Sequence, residues 1–308
     1  MTRTRIALLA LSALLIGAAP ADAAKFKNGL IAFESDRDGD GELYTVKPSG
    51  KSTKRLTKNT IDDSDPRFSA NGKQVVFERT YEGETDAEIV RLTIKSGKEK
   101  RLTKNDFEEG DPQFTPDGKR IVFLSDSDGD SEIYSMKAKN GSDIQQITTN
   151  MGGDYDPAVS PNGKRVAYCF DTGMGQLQVA SVKMNGSDFV QLTDEMMGSS
   201  NEPEWSPNGK LIVYESDAPL DPMSMVLDDE IFTMKASDGS DREQLTSAAS
   251  FFDGDPDFSP DGKQITFETT RDGNTDVYRM KADGSGEKPV VGDAASDAEP
   301  DWQPKKRR

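Results

Sequence analysis

The sequence predicts an all-β fold, a six-bladed β-propeller of four-stranded antiparallel blades closed by pairing of its N- and C-terminal strands. Three observations predict it. One turn-and-strand unit recurs six times, each copy holds four short strand segments, and one copy is split between the two ends of the chain.

The unit is marked by an acidic residue before proline: Asp65-Pro66, Asp111-Pro112, Asp156-Pro157, Glu202-Pro203, Asp255-Pro256 and Glu299-Pro300. The prolines lie 46, 45, 46, 53 and 44 residues apart. A turn follows in most copies, such as Thr115-Pro116-Asp117-Gly118 or Ser259-Pro260-Asp261-Gly262. Proline second, Asn or Asp third and glycine fourth suit a type I turn. Next comes a β-branched and aromatic run, as in Val75-Val76-Phe77 or Ile265-Thr266-Phe267, whose continuity fits a strand buried on both faces. A third segment reads Glu42-Leu43-Tyr44 or Glu132-Ile133-Tyr134, and a fourth Arg55-Leu56-Thr57 or Gln191-Leu192-Thr193. The chain enters at a second strand, near Asn28, and leaves after a first strand, residues 299–302. Its two ends must therefore share a blade, which removes exposed sheet edges.

Ahead of the first strand, Arg3 and Arg5 precede an apolar run from Ile6 to Ala19, and Ala21-Asp22-Ala23 supplies a small-x-small site. Residues 1–23 read as an export signal and residues 24–308 as the propeller. The mature protein is expected in the periplasm or secreted, with no membrane-spanning segment after cleavage. Lys and Arg number 38 against 55 Asp and Glu, a formal charge of −17. That balance repels phosphate backbones and anionic lipid and favours a cationic protein segment or a metal ion. The single cysteine, Cys169, forbids an internal disulfide, and its apolar neighbours make it a small buried side chain. The absence of histidine removes Ser-His-Asp and Cys-His nucleophiles, histidine-ligated zinc and the commonest general base. No enzyme activity and no cofactor are expected, calcium being the one candidate.

The run Asp255-Pro256-Asp257-Phe258-Ser259-Pro260-Asp261-Gly262-Lys263-Gln264-Ile265-Thr266-Phe267 resembles the TolB-type propeller repeat, a relative of the WD repeat. The resemblance covers residues 28–304 and implies a periplasmic protein that binds partners at the propeller mouth. That family also places an α/β domain before the propeller. Few residues separate the expected cleavage site from the first strand, so the resemblance implies a propeller-only binding protein. Peptidase relatives of this repeat carry a hydrolase domain with no counterpart here. Its lyase relatives rely on histidine ligands, which this chain does not have.

In antiparallel blades alternate connections share a face. The connections into first strands and those between second and third strands together form the mouth. Innermost first strands bring Asp65, Asp111, Asp156, Glu202, Asp255 and Glu299 to the central channel. Acids two residues earlier, Asp63, Glu109, Asp154, Asp253 and Asp297, point the same way if the chain is extended. Eleven carboxylates are thus expected at the mouth as a partner-binding ring, although a pre-proline acid can equally serve to bond a neighbouring blade. Asp36, Asp38 and Asp40, with Asp126, Asp128 and Asp130, form D-x-D-x-D patterns that resemble the start of a calcium loop or simply build a hairpin turn. The 53-residue spacing comes from an inserted loop, residues 216–227. Its Met223, Met225 and Leu227 either contact a protein or fold back over their own blade. Two functions compete. One is a monomeric, non-catalytic scaffold of the cell envelope that recognises a protein or basic peptide and no nucleic acid. The other is a calcium-dependent carboxylate enzyme, lactonase- or glycosidase-like.

Overall fold

Turn chemistry at each repeat sets the strand order. Gly72 donates its backbone N–H to the Ser69 carbonyl at 2.7 Å, and its φ of 65° suits a residue without Cβ. The Asn71 side chain accepts from the Lys73 N–H at 3.0 Å, completing a turn that returns the chain as an antiparallel neighbour. The structure, a computed structural model, describes residues 26–194, 198–218, 229–247 and 251–306. The expected export signal and the inserted-loop residues Met223, Met225 and Leu227 lie outside them.

The strands run in repeat order. β1 (Phe26–Ser35), β2 (Glu42–Val46) and β3 (Lys54–Arg55) come first. Blade 2 holds β4 (Asp63–Phe68), β5 (Gln74–Thr80), β6 (Ala87–Thr93) and β7 (Lys98–Arg101). Blade 3 holds β8 (Glu109–Phe114), β9 (Arg120–Ser125), β10 (Glu132–Lys137) and β11 (Gln145–Gln146). Blade 4 holds β12 (Asp154–Val159), β13 (Arg165–Asp171), β14 (Leu177–Lys183) and β15 (Val190–Gln191). Blade 5 holds β16 (Ser200–Trp205), β17 (Leu211–Ser216), β18 (Glu230–Lys235) and β19 (Glu243–Gln244). Blade 6 holds β20 (Asp253–Phe258), β21 (Gln264–Thr269), β22 (Asp276–Lys281) and β23 (Lys288–Val291). The last strand, β24 (Asp297–Lys306), returns beside β1, so blade 1 has the order β24-β1-β2-β3. Ile31 faces Trp302 and Ser35 faces Asp297 across this seam. The split repeat closes the ring as expected.

The second strands carry the core. Phe33, Phe77, Phe123, Tyr168, Tyr214 and Phe267, one per blade, are all buried. Six hydrophobic clusters follow, each formed by two neighbouring blades; one joins Phe33 and Trp302 of blade 1 to Val277 of blade 6. Burying each aromatic contributes about 1.5–3 kcal/mol, so blade contacts are the dominant cohesive term.

The fourth strands are shorter than the sequence suggests, two residues in blades 1, 3, 4 and 5. The Leu-Thr that ends the motif bonds β2-type strands differently. Leu56 N–H donates to the Leu43 carbonyl, while Thr57 Oγ1 accepts the Leu43 N–H at 2.9 Å. The same hydroxyl bond recurs at Thr103, Thr148, Thr193 and Thr246. A side chain thus satisfies a strand N–H that would otherwise be buried unpaired.

Candidate functional site: an acidic axial channel

Each first strand breaks its pairing register at the pre-proline acid. In blade 2 the pairs run Ser64–Glu78 and then Arg67–Val76, one extra residue on β4. The acids at this bulge all lie in the left-handed region: φ is 48° at Asp65, 49° at Asp111, 51° at Asp156, 50° at Glu202, 47° at Asp255 and 53° at Glu299. A residue before proline normally takes the extended region, so six such conformations are six sites of stored strain. The bulge turns these six side chains onto the axis, where they line a cavity of about 160 Å³.

The same bulge parts them from the acids two positions earlier. Asp63, Glu109, Asp154, Asp253 and Asp297 are buried within their blades and do not line the cavity. The expectation of eleven mouth carboxylates assumed an extended strand; the bulge reverses the facing. Asp63 accepts from Arg79 Nε at 2.5 Å and Nη2 at 2.8 Å, Asp253 pairs with Arg271, and Asp297 with Arg37. Asp63, Glu109 and Asp154 also each accept from an asparagine four residues back, Asn59, Asn105 and Asn150. Those asparagines in turn donate their N–H to Glu42, Glu88 and Glu132 at the starts of third strands. These acids anchor loops to blades.

The pre-proline acids do bond neighbouring blades. Asp111 accepts the Asp156 N–H at 3.2 Å, Glu202 the Asp255 N–H at 2.7 Å, and Glu299 the Asp65 N–H. A second tier of acids stands behind the wall, of which Glu78 also lines the cavity. Glu34, Glu78, Glu215 and Glu268 stand at equivalent places on the second strands, where blades 3 and 4 carry Leu124 and Cys169. Glu78 accepts the Asp111 N–H at 2.5 Å, and Glu268 accepts that of Glu299 at 3.2 Å. Below them come Arg67, Glu204, Asp257 and Asp301, each one residue after the proline. The cavity lining holds nine carboxyl groups and one cation, Arg67, which pairs with Asp65 at 3.2 Å.

Burial is the first cause of every carboxyl shift in this wall, and mutual repulsion adds to it. Glu78 is pushed up to about 8, with Asp65 the chief neighbour, and Glu268 to about 9, with Asp255 beside it. Glu215 rises to about 8 and Glu34 to about 7. Asp111, Glu202 and Glu299 rise well above their ordinary values. Glu34 and Glu299, Glu202 and Glu215, and Asp255 and Glu268 interact as neighbouring carboxyl pairs, and every member of the three pairs is raised above its ordinary value. Burial also raises the Cys169 thiol, which donates to Asp156 Oδ2 at 3.0 Å. A protonated buried thiol is a poor nucleophile.

Asp65, Glu78 and Asp111 each offer an oxygen within 4.8 Å of the others, a donor set that suits a hard cation. The hairpin aspartates are engaged otherwise. Asp36 accepts the Ser296 N–H, Asp38 bonds Tyr44 and Arg55, Asp126 accepts the Glu108 N–H, and Asp128 accepts from Gln146. Asp40 and Asp130 are half-buried in the same hairpins. Among the described residues no three of these six form such a convergent group. The residues that sequence reasoning missed, Glu34, Glu78, Glu215, Glu268 and Arg67, had a legible signal. Each glutamate closes an otherwise apolar run, and Arg67 alone replaces a neutral or acidic residue after the proline.

Fold and site together define a six-bladed propeller with a carboxyl-lined axial channel. Residues 59–229 match the family model described as the TolB beta propeller domain, and the chain belongs to that family. It is 34% identical over 95 residues to an uncharacterised protein of Agrobacterium fabrum, covering 30% of this chain and 29% of that one. It is 33% identical over 103 residues to the Tol-Pal system protein TolB of Anaeromyxobacter dehalogenans, covering 32% of this chain and 21% of that relative. The chain thus spans less than a third of the length of the curated relatives it matches. TolB from Acinetobacter baumannii superposes with a TM-score of 0.74 at 21% identity, over 92% of this chain and 68% of the other. At that identity the likeness is one of fold.

Proposed function

We propose that this is an exported, non-catalytic binding protein of the cell envelope whose channel mouth receives a basic side chain from a protein or peptide partner. The carrying observation is the cavity of about 160 Å³ with nine carboxyls around a single guanidinium. Its size admits one side chain rather than a folded element. Like charges held together in a partly desolvated channel gain whenever a cation enters. The TolB relatives support a binding role, and the propeller fold by itself is neutral between binding and catalysis.

The test is a titration with a lysine hexapeptide at rising salt. Affinity should weaken steeply as the screening length falls from about 10 Å at 0.1 M to about 3 Å at 1 M. A Glu202→Gln, Glu299→Gln, Asp255→Asn variant should lose binding while remaining folded. Equal affinity in that variant would sink the reading. Turnover on lactone or glycan panels, dependent on calcium and abolished by one carboxylate substitution, would instead establish the enzyme alternative.

A further inference from the structure

Among the described residues the mouth is not uniform around its ring. Five large apolar side chains stand exposed among the described residues: Phe107, Ile144, Met151, Met174 and Phe189. All five belong to blades 3 and 4 or to the connections that enter them. Phe107 lies between β7 and β8, Met151 between β11 and β12, and Met174 between β13 and β14, so these three share the mouth face. Met151 and Met174 are 101% and 84% exposed, on connections of the same blade. The second strands change in the same sector, where Leu124 and Cys169 stand at the places that carry glutamates in the other four blades. An apolar rim therefore adjoins an acidic channel to which blades 3 and 4 contribute Asp111 and Asp156.

We propose that the rim of blades 3 and 4 is a protein-docking surface for a segment bearing apolar side chains next to one lysine or arginine. The apolar groups would cover Phe107, Met151 and Met174, and the cation would enter the channel toward the carboxyls. Charge complementarity selects this occupant: nine lining carboxyls face one resident guanidinium. Methionine, flexible and polarisable, suits a surface that moulds itself to a partner. The proposal rests on the reading of the channel as a cation-accepting mouth and adds where and with what chemistry the partner lies.

The experiment is site-specific photocrosslinking in the native cells, with p-benzoylphenylalanine at Phe107, Met151 or Met174. Control positions are Glu82 and Ala294, exposed on the mouth face of blades 2 and 1. The expected result is one common protein product from the first three positions and none from the controls. Its mapped peptide should contain a basic residue within a few positions of apolar ones. Adding Glu202→Gln and Glu299→Gln should reduce the product at least tenfold. Crosslinks from the control positions alone would overturn the sector while leaving the mouth reading intact. A mapped peptide without a basic residue, or a product indifferent to the channel substitutions, would overturn the stated occupant. No product from any mouth position would overturn both.

Discussion

Asp63 and Glu268 are both buried acids, and they should respond to neutralisation in opposite directions. Asp63 meets a guanidinium on both oxygens and an asparagine on one. Asp63→Ala would strand Arg79, which is itself buried, without its main counter-ion. We expect a loss of about 3–5 kcal/mol, read as a lower urea midpoint with unchanged slope. Among the described residues no ion pair involves Glu268; burial first, and then Asp255, hold its carboxyl up to about 9. A raised folded value means that the folded state binds the proton more tightly than the unfolded one. The resulting stability is complete below the unfolded value, near 4.3, and is lost as pH rises toward 9. Glu268→Gln should therefore raise the melting temperature at pH 8 and change little at pH 4, since glutamine still accepts the Glu299 N–H. Equal effects at both pH values would contradict this assignment of the proton.

At the scale of the strand and its blade, β24 is the decisive element. It pairs with β1 along most of its length and buries Trp302, which is 3% exposed, between blades 1 and 6. Trp302→Ala should cost about 3–5 kcal/mol. Removing residues 299–308 should leave an open inner edge and an aggregating protein, visible by light scattering at temperatures where the full chain is clear. The seam was legible in the sequence because turn chemistry and apolar runs repeat with their order kept, and a split copy shows by its missing half. The facing within each first strand was not legible. Asp65 precedes a proline, and local sterics argue for an extended conformation there; only the assembled ring holds its φ at 48°. One turned residue then sends Asp65 to the channel and leaves Asp63 in the blade. The fourth strands were misjudged for a related reason, since Thr57 bonds the neighbouring strand by its side chain instead of extending the ladder.

Over the whole molecule the channel should govern the response to pH. Glu34, Glu78, Glu204, Glu215, Glu268 and Asp301 are all displaced upward, to between about 7 and about 9. By the sign established for Glu268, each favours the folded state more at pH 5 than at pH 9. Exposed acids such as Asp143 and Asp188, lowered chiefly by hydrogen bonds from Arg120 and Arg165, act oppositely and only at lower pH. Calorimetry should show the melting temperature falling between pH 5 and pH 9, by about 3 °C for each 2 kcal/mol of net linkage. A flat profile would mean that the channel carboxyls are neutralised by something other than protons. Added salt at pH 8 should raise the melting temperature of a chain carrying a formal charge of −17, through screening of its self-repulsion.

The seam between β1 and β24 also orders events in time. Blades 2 to 6 are each built from consecutive hairpins, so each can form as soon as its own residues are available. Blade 1 cannot, because Leu30 meets the side chain of Gln303 across 273 residues of chain. The entropy of closing so long a loop grows only with the logarithm of its length, which makes the delay a matter of synthesis rather than of thermodynamics. Until the final strand emerges the protein is an arc with two unpaired edges. Ring closure thus registers that all six blades have been made, and a chain cut short anywhere upstream of β24 presents its open edges to any protease or chaperone that meets it.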